Sequence, residues 1–202
     1  MFRRAPVLAA ALGLCAASAS AQPVSWQIDA SHSSAQFAVR HMMVTNVRGE
    51  FGKMNGSVLW DGKTFAAAQV EVVIDAASIN TREPKRDDHL RSADFFDVAK
   101  FPTLTFKSTK IEQAGAGKLR MTGDLTMRGV TKPVVFEVTG PTDVIKDARG
   151  TSRVGASASA TISRKEFGLT WNRAIETGGV VVGDEVTLTI DVALVSRPPA
   201  VP

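Results

Sequence analysis

Between Val186 and Leu194 every second residue is a large aliphatic: Val186, Leu188, Ile190, Val192 and Leu194 alternate with Thr187, Thr189, Asp191 and Ala193. A period of two places all five on one side of an extended strand, whereas a helix would scatter them around its circumference. The same period returns in Ala35, Phe37 and Val39, in Gly56, Val58 and Trp60, and in Val70, Val72 and Ile74. It continues in Leu104 and Phe106, then in Leu119, Met121, Leu125 and Met127, and in Val134, Phe136 and Val138. Val154, Ala156, Ala158, Ala160 and Ile162 complete the set. About eight or nine strands, each with one apolar face and turn residues between, must bury those faces together. The all-β solutions are an antiparallel barrel or a sandwich.

One stretch breaks the period, Ser78 to Pro102. Asn80 to Glu83 offers a variant capping box, Pro84 suits a first helical turn, and Leu90 and Ala93 share a helical stripe. The spacing predicts a short helix ending near Ser92. Asp94-Phe95-Phe96-Asp97 then sets two rings between acids, too apolar for a solvated loop and too short for a strand. A lid or plug across a barrel opening is the expected role.

An eight-stranded barrel is either just filled by its side chains or holds one small ligand, according to side-chain volume. Ala156, Ala158 and Ala160 on one apolar face leave space for a ligand, unless Trp60, Phe106 or Phe136 lies opposite and fills it.

The chain opens with Arg3-Arg4, an apolar run from Ala5 to Ala17, and Ala19-Ser20-Ala21. This pattern is that of a secretory signal peptide covering residues 1–21, cleaved before Gln22, too short in its apolar run to span a bilayer. Leu14 stands before Cys15 where lipoprotein processing uses a small residue, which argues against lipidation. The expected domain is residues 22–196, followed by a flexible tail, 197–202. Cleavage removes the only cysteine, so the mature chain has neither thiol nor disulfide chemistry. It also removes two of the 24 Lys and Arg residues, leaving 22 against 20 Asp and Glu, a net charge of +2. That balance excludes an electrostatic case for nucleic acid.

The order of short motifs carries a further signal. WQID from Trp26, His32-Ser33, VRGEF from Val47, SINT from Ser78, RDDHLRSADFFD from Arg86 and FPTLTFKS from Phe101 occur in sequence. GDLTMRGVTKP from Gly123, ISRKEFG from Ile162 and VGDEV from Val182 follow. Together they resemble the YceI-like family of periplasmic polyisoprenoid-binding proteins, from Trp26 to about Leu194. The resemblance implies a lipocalin-like, up-and-down antiparallel barrel of about eight strands whose lumen takes a long isoprenoid, quinone-like or other amphiphilic lipid. It brings no catalysis, metal or cofactor beyond the bound lipid. It also implies a periplasmic location, a possible homodimer, and partners at the membrane surface or in a cytochrome b561-type protein.

On that reading the polar head group meets His32, Ser33, Asp88, His89 and Ser92 at the mouth. Phe37, Phe106, Ala156, Ala158 and Ala160 line the lumen, while Leu90, Phe95 and Phe96 pack at its end and touch ligand there. Asp87 and Asp88 beside Arg82, Lys85, Arg86 and Arg91 suggest a structural ion-pair network rather than a diphosphate site. A rival reading is a metal-dependent or hydrolytic enzyme using His32, His89 and Asp88. Against it, His32 and His41 stand nearly 30 Å apart on a straight strand at about 3.3 Å per residue. Adjacent His32 and Ser33 face opposite sides, and no Gly-x-Ser-x-Gly elbow occurs. A partner-binding module with a filled core is the remaining alternative; it gives the helical insertion no purpose.

Overall fold

The computed structural model describes residues 24–61, 63–176 and 178–196; the expected signal peptide and tail lie outside them. In chain order the strands are β1 (Val24–Ile28), β2 (Ser34–His41), β3 (Thr45–Phe51), β4 (Met54–Trp60), β5 (Gln69–Asp75) and β6 (Ile79–Asn80). Helix α1 (Pro84–Arg91) follows, then β7 (Thr103–Gly115), β8 (Lys118–Met127), β9 (Val130–Thr139), β10 (Ile145–Lys146), β11 (Ser152–Ser163) and β12 (Val182–Ser196).

Three staves of the barrel are strands broken in two. β1 and β2 lie in succession along one edge of β12, with Ile28 opposite Leu194 and Ser34 opposite Asp191. β3 pairs with β2 while β4 pairs with β1, so β3 and β4 form the second stave. β6 on β3 and β5 on β4 form the third. β7, β8, β9, β11 and β12 supply the rest, and β11 pairs with β12 from Ser152–Ser196 to Ser163–Glu185. The result is a closed eight-stave antiparallel barrel in up-and-down order, with one short helix. Its seam is uneven: β9 and β11 pair only at Glu137–Thr139, against Ser157–Ser159.

The kink between β1 and β2 is local chemistry. Asp29 accepts from Ser31 N at 3.2 Å and Ser31 Oγ at 2.6 Å, while Ser33 Oγ donates to Asp29 O at 2.8 Å and accepts from Ala193 N at 3.0 Å. These bonds satisfy the backbone where the ladder lapses.

Helix α1 begins one turn later than a box at Asn80 requires. Asn80 Oδ1 instead accepts from Arg82 N at 2.8 Å, and Glu83 is the N-cap, accepting from Lys85 N. Pro84 holds the first position, and Asp87 in the first turn with Arg91 in the last complements the helix dipole. The helix ends at Ser92, so Ala93 lies in the following turn rather than on a helical stripe.

Inward residues are apolar and outward ones are mostly Thr, Ser, Arg, Lys and Glu, with single exposed aliphatics such as Leu59, Val73 and Val135 among them, the reverse of a membrane-spanning barrel. Among the described residues no helix is long and apolar enough to cross a membrane. At the end opposite α1, Trp26, Trp60 and Phe65 form the floor, with ring centroids 5.6 and 5.2 Å apart. On the β7–β9 side the wall is solid: Phe106 and Phe136 meet edge to face at 5.2 Å.

Gly123 makes that wall possible, because a Cβ there would strike both the Phe106 ring and the backbone carbonyl of Lys107. Gly123→Ala is expected to cost about 1–3 kcal/mol in urea denaturation by overpacking. Adding Phe106→Leu should recover only the ring's share of that loss, since the shorter side chain vacates that contact while the Lys107 carbonyl remains.

Candidate binding cavity

On the side formed by β1, β2, β11 and β12 the inward residues do not touch one another across the barrel. Ile28, Phe37, Ala156, Ala158, Leu188, Ile190 and Val192 point inward yet are only half-buried, because they face a cavity of about 220 Å³. The large residues of β7 to β9 do not reach across to the alanines, so the lumen is not filled. Its lining is apolar apart from Gln36, Thr105 and Arg164. Along β12 it runs from Val182 to Leu194. That span is about 40 Å of strand, or about 30 Å along the barrel axis at the usual tilt. The space is long and thin.

The insertion closes one end. Phe95, 5% exposed, packs against His89 at 5.1 Å and Trp171 at 5.3 Å, and Phe96 meets Phe51 edge to face at 5.7 Å. Both rings and Leu90 line the cavity, as expected of a plug. Burying one such ring contributes about 1.5–3 kcal/mol.

Arginines pin this cap to backbone carbonyls. Arg91 donates to Ala77 O and Ile79 O, both at 2.9 Å, and Arg86 to Thr81 O at 2.8 Å. Arg128 Nη2 donates to Ala93 O at 2.7 Å, and its Nη1 to Gly168 O. The ion-pair network expected on α1 is reduced to Arg91–Asp88 at 3.0 Å. Arg86 and the buried Asp87 are joined through Thr81, whose N and Oγ1 both donate to Asp87. Across the mouth Arg164, 3% exposed, donates to the carbonyls of Gly183, Leu169 and Trp171 and so holds the segment 169–183. Burial pushes its pKa below the ordinary guanidinium value, opposed by Asp184.

Of the residues singled out from the sequence, Phe37, Leu90, Phe95, Phe96, Phe106, Ala156 and Ala158 lie on the cavity. Ala160 is buried in the wall and does not line it. The polar candidates are placed elsewhere. His32 stands on the outer surface with its side chain 68% exposed, Nδ1 to Asp29 at 2.9 Å. Ser33 is taken up by the kink, and Asp88 by Arg91. Ser92 Oγ closes the helix end on His89 O at 2.7 Å. His89 comes nearest, sandwiched between Phe95 and Trp171 with Nε2 on Asp94 at 2.9 Å, behind the rings that line the lumen. His32, Ser33 and Asp88 therefore form no nucleophilic relay. Among the described residues no three His, Cys, Asp or Glu side chains gather as metal ligands.

Sequence reasoning passed over Phe51, Arg128, Arg164 and Trp171. Gly129, with φ +74°, and Arg128, with φ +51°, sit in a tight left-handed turn that carries the cap's anchor, and the dipeptide Arg-Gly was the available signal.

These features define a class: a closed up-and-down barrel, polar outside and apolar within, capped at one end over a long lumen. The chain belongs to the YceI-like family, whose domain model matches residues 26–194. A UPF0312 protein of Staphylococcus aureus is 34% identical over 158 residues, 78% of this chain and 90% of that one. The crystal structure of the Campylobacter jejuni YceI protein is 31% identical, with TM-score 0.67, covering 79% of this chain and 90% of that one. BcnA of Burkholderia cenocepacia is 25% identical with TM-score 0.70, over 82% and 98% of the two chains. A polyisoprenoid binding domain from Saccharophagus degradans shares the fold at 15% identity and TM-score 0.63, over 86% and 99%.

Two results are expected of this architecture. Arg128→Met frees the carbonyls of Ala93 and Gly168, and amide exchange over residues 92–98 should quicken about tenfold or more, as loss of one charge-assisted hydrogen bond requires. Separately, hydrogen bonds from Ser31 and His32 and the Arg153 guanidinium hold the Asp29 carboxyl well below the usual carboxylate range. A carboxyl depressed in the folded state contributes stability above its unfolded value of about 4, and that contribution is lost as pH falls towards the folded value. Asp29→Asn should thus be less stable at neutral pH, with a shallower decline in midpoint below about pH 4.

Proposed function

We propose that this protein is a non-catalytic carrier that takes one long isoprenoid, quinone-tail or fatty-chain amphiphile into its barrel. The observation that carries the reading is the lumen itself, about 220 Å³ of apolar space in a closed barrel. A volume below the about 300–1,000 Å³ of compact small-molecule sites, drawn out along the barrel axis, suits a slender chain better than a ring system. Ten buried methylenes contribute about 8 kcal/mol, which corresponds to micromolar affinity before ordering costs. The buried chain therefore supplies the larger part of the binding energy, without a polar anchor inside the lumen. The head group stays outside, where water or the polar rim can hydrate it. The polyisoprenoid-binding description of the Saccharophagus degradans domain agrees with this reading. Export to the periplasm by cleavage before Gln22 belongs to the same proposal, and the intact mass of the protein from its host tests it.

Native mass spectrometry of the protein purified without detergent, with organic extraction, is expected to reveal an adduct of isoprenoid or fatty-chain mass. A protein that is empty and takes up no added polyprenyl lipid, quinone or fatty acid would overturn the carrier role. Ala158→Phe projects a ring into the lumen from beside Ile190 on the neighbouring strand. It should lower occupancy about tenfold or more while leaving the fold intact, because it fills existing space instead of overpacking a solid wall.

A further inference from the structure

The β2–β3 hairpin turns through Met42 and Met43, both in the left-handed region with φ +49° and +60°, and Val44 N donates to His41 O at 3.0 Å. Two left-handed central residues make a type I′ turn, the geometry that Asn-Gly serves best. Here it holds two methionines, and the next residue is valine. All three project into solvent, with Met42 45%, Met43 57% and Val44 77% exposed. The backbone is thus held unfavourably in order to display large apolar side chains, and such outliers mark functional positions.

Two further observations say what covers them. First, the tip stands at the end of the lumen: Met42 N donates to Val181 O at 2.8 Å, and Val182, opposite His41, lines the cavity, as does Val39. Second, Arg40, Arg48 and Arg173 lie around it, and among the described residues none is in ion-pair contact with a carboxylate; of the nearby acids Asp184 is taken by Arg164 and Lys165, while Glu176 and Glu185 are exposed. Arg40 also donates to Met43 O at 3.1 Å, bracing the turn.

We propose that this hairpin docks on an anionic bilayer: the Met42–Met43–Val44 tip inserts among the acyl chains, and the three arginines meet the lipid phosphates. Unbranched methionine adapts to a fluid apolar phase, and a small apolar insertion joined to basic residues is the usual pairing for reversible surface binding. The inference rests on the carrier reading for its purpose, since docking brings the lumen's end to the membrane and lets a chain pass without crossing water.

The test is flotation with vesicles of phosphatidylethanolamine and phosphatidylglycerol, and with phosphatidylcholine alone. The N-terminus of each preparation is read by intact mass, so that an apolar leader does not bind in place of the tip. The variant is Met42→Asn with Met43→Gly, which restores the residues the turn prefers and so keeps the fold. The wild type is expected to float with the phosphatidylglycerol vesicles, the variant's partition to fall about tenfold or more, and added salt to weaken the wild type. A wild type that floats with neither vesicle, or a variant that floats equally well, overturns the proposal, and the first outcome leaves the tip to a protein partner. Uptake of a pyrene-labelled fatty acid in vesicle-free solution separates the two readings. Equal uptake by both proteins is expected, whereas docking without uptake by either would keep the surface and remove the carrier role.

Discussion

Strand β12 is hydrogen-bonded along both edges, to β11 on one side and to β1 and β2 in turn on the other, and closure of the barrel depends on it. Closure satisfies the backbone groups that an open sheet would leave exposed at its edges. It also separates two tasks. The wall is held by its ladder, so the interior need not be filled everywhere for the barrel to stand. On the β7–β9 side Phe106 and Phe136 fill it; on the β11–β12 side Ala156 and Ala158 do not, and the lumen is the difference.

The cap follows a different logic. Its apolar underside is small, chiefly Phe95, Phe96 and Leu90, and its position is set by arginines donating to carbonyls on β6, on its flanking turns and beside Gly168. Hydrogen bonds from charged donors are worth more than neutral ones. The cap's placement thus does not wait on a ligand. Across the same mouth stand the β2–β3 tip and the loop bridged at Ala174 and Val180, tied down by Arg164, by Asn172, which donates to Val182 O and accepts from Val182 N, and by Met42 N on Val181 O.

Much of this was legible in the chain. Period-two alternation identified most strands and their inner faces, and the motif order pointed to the family. Strand β3 was missed because Gly49 occupies an inner position, covered by the Phe37 ring, and so breaks the apolar rhythm. The paired rings Phe95 and Phe96 stood out because two adjacent aromatics between acids have few other uses. The polar candidates did not land on the cavity for a common reason: His32, Asp88 and Ser92 satisfy hydrogen bonds within a few residues of themselves, and Ser33 joins Asp29 O to Ala193 N in the kink. Side chains of this kind serve turns and caps first, and a motif match does not say which duty they perform.

Local pattern alone determined which residues face inward, because the side-chain period of a strand is a property of the extended backbone. It also determined where the strands stop and the cap begins, through Pro84, Ser92 and the loss of alternation. Whether the inward faces meet was decided only by tertiary structure. Ala158 stands beside Val138 and Ile190 in the sheet, and what lies across from it depends on barrel curvature, strand stagger and closure. The same holds for the arginine anchors, whose carbonyl partners lie as far as 40 residues away in sequence. A void is a relation between distant strands, and no single strand carries it.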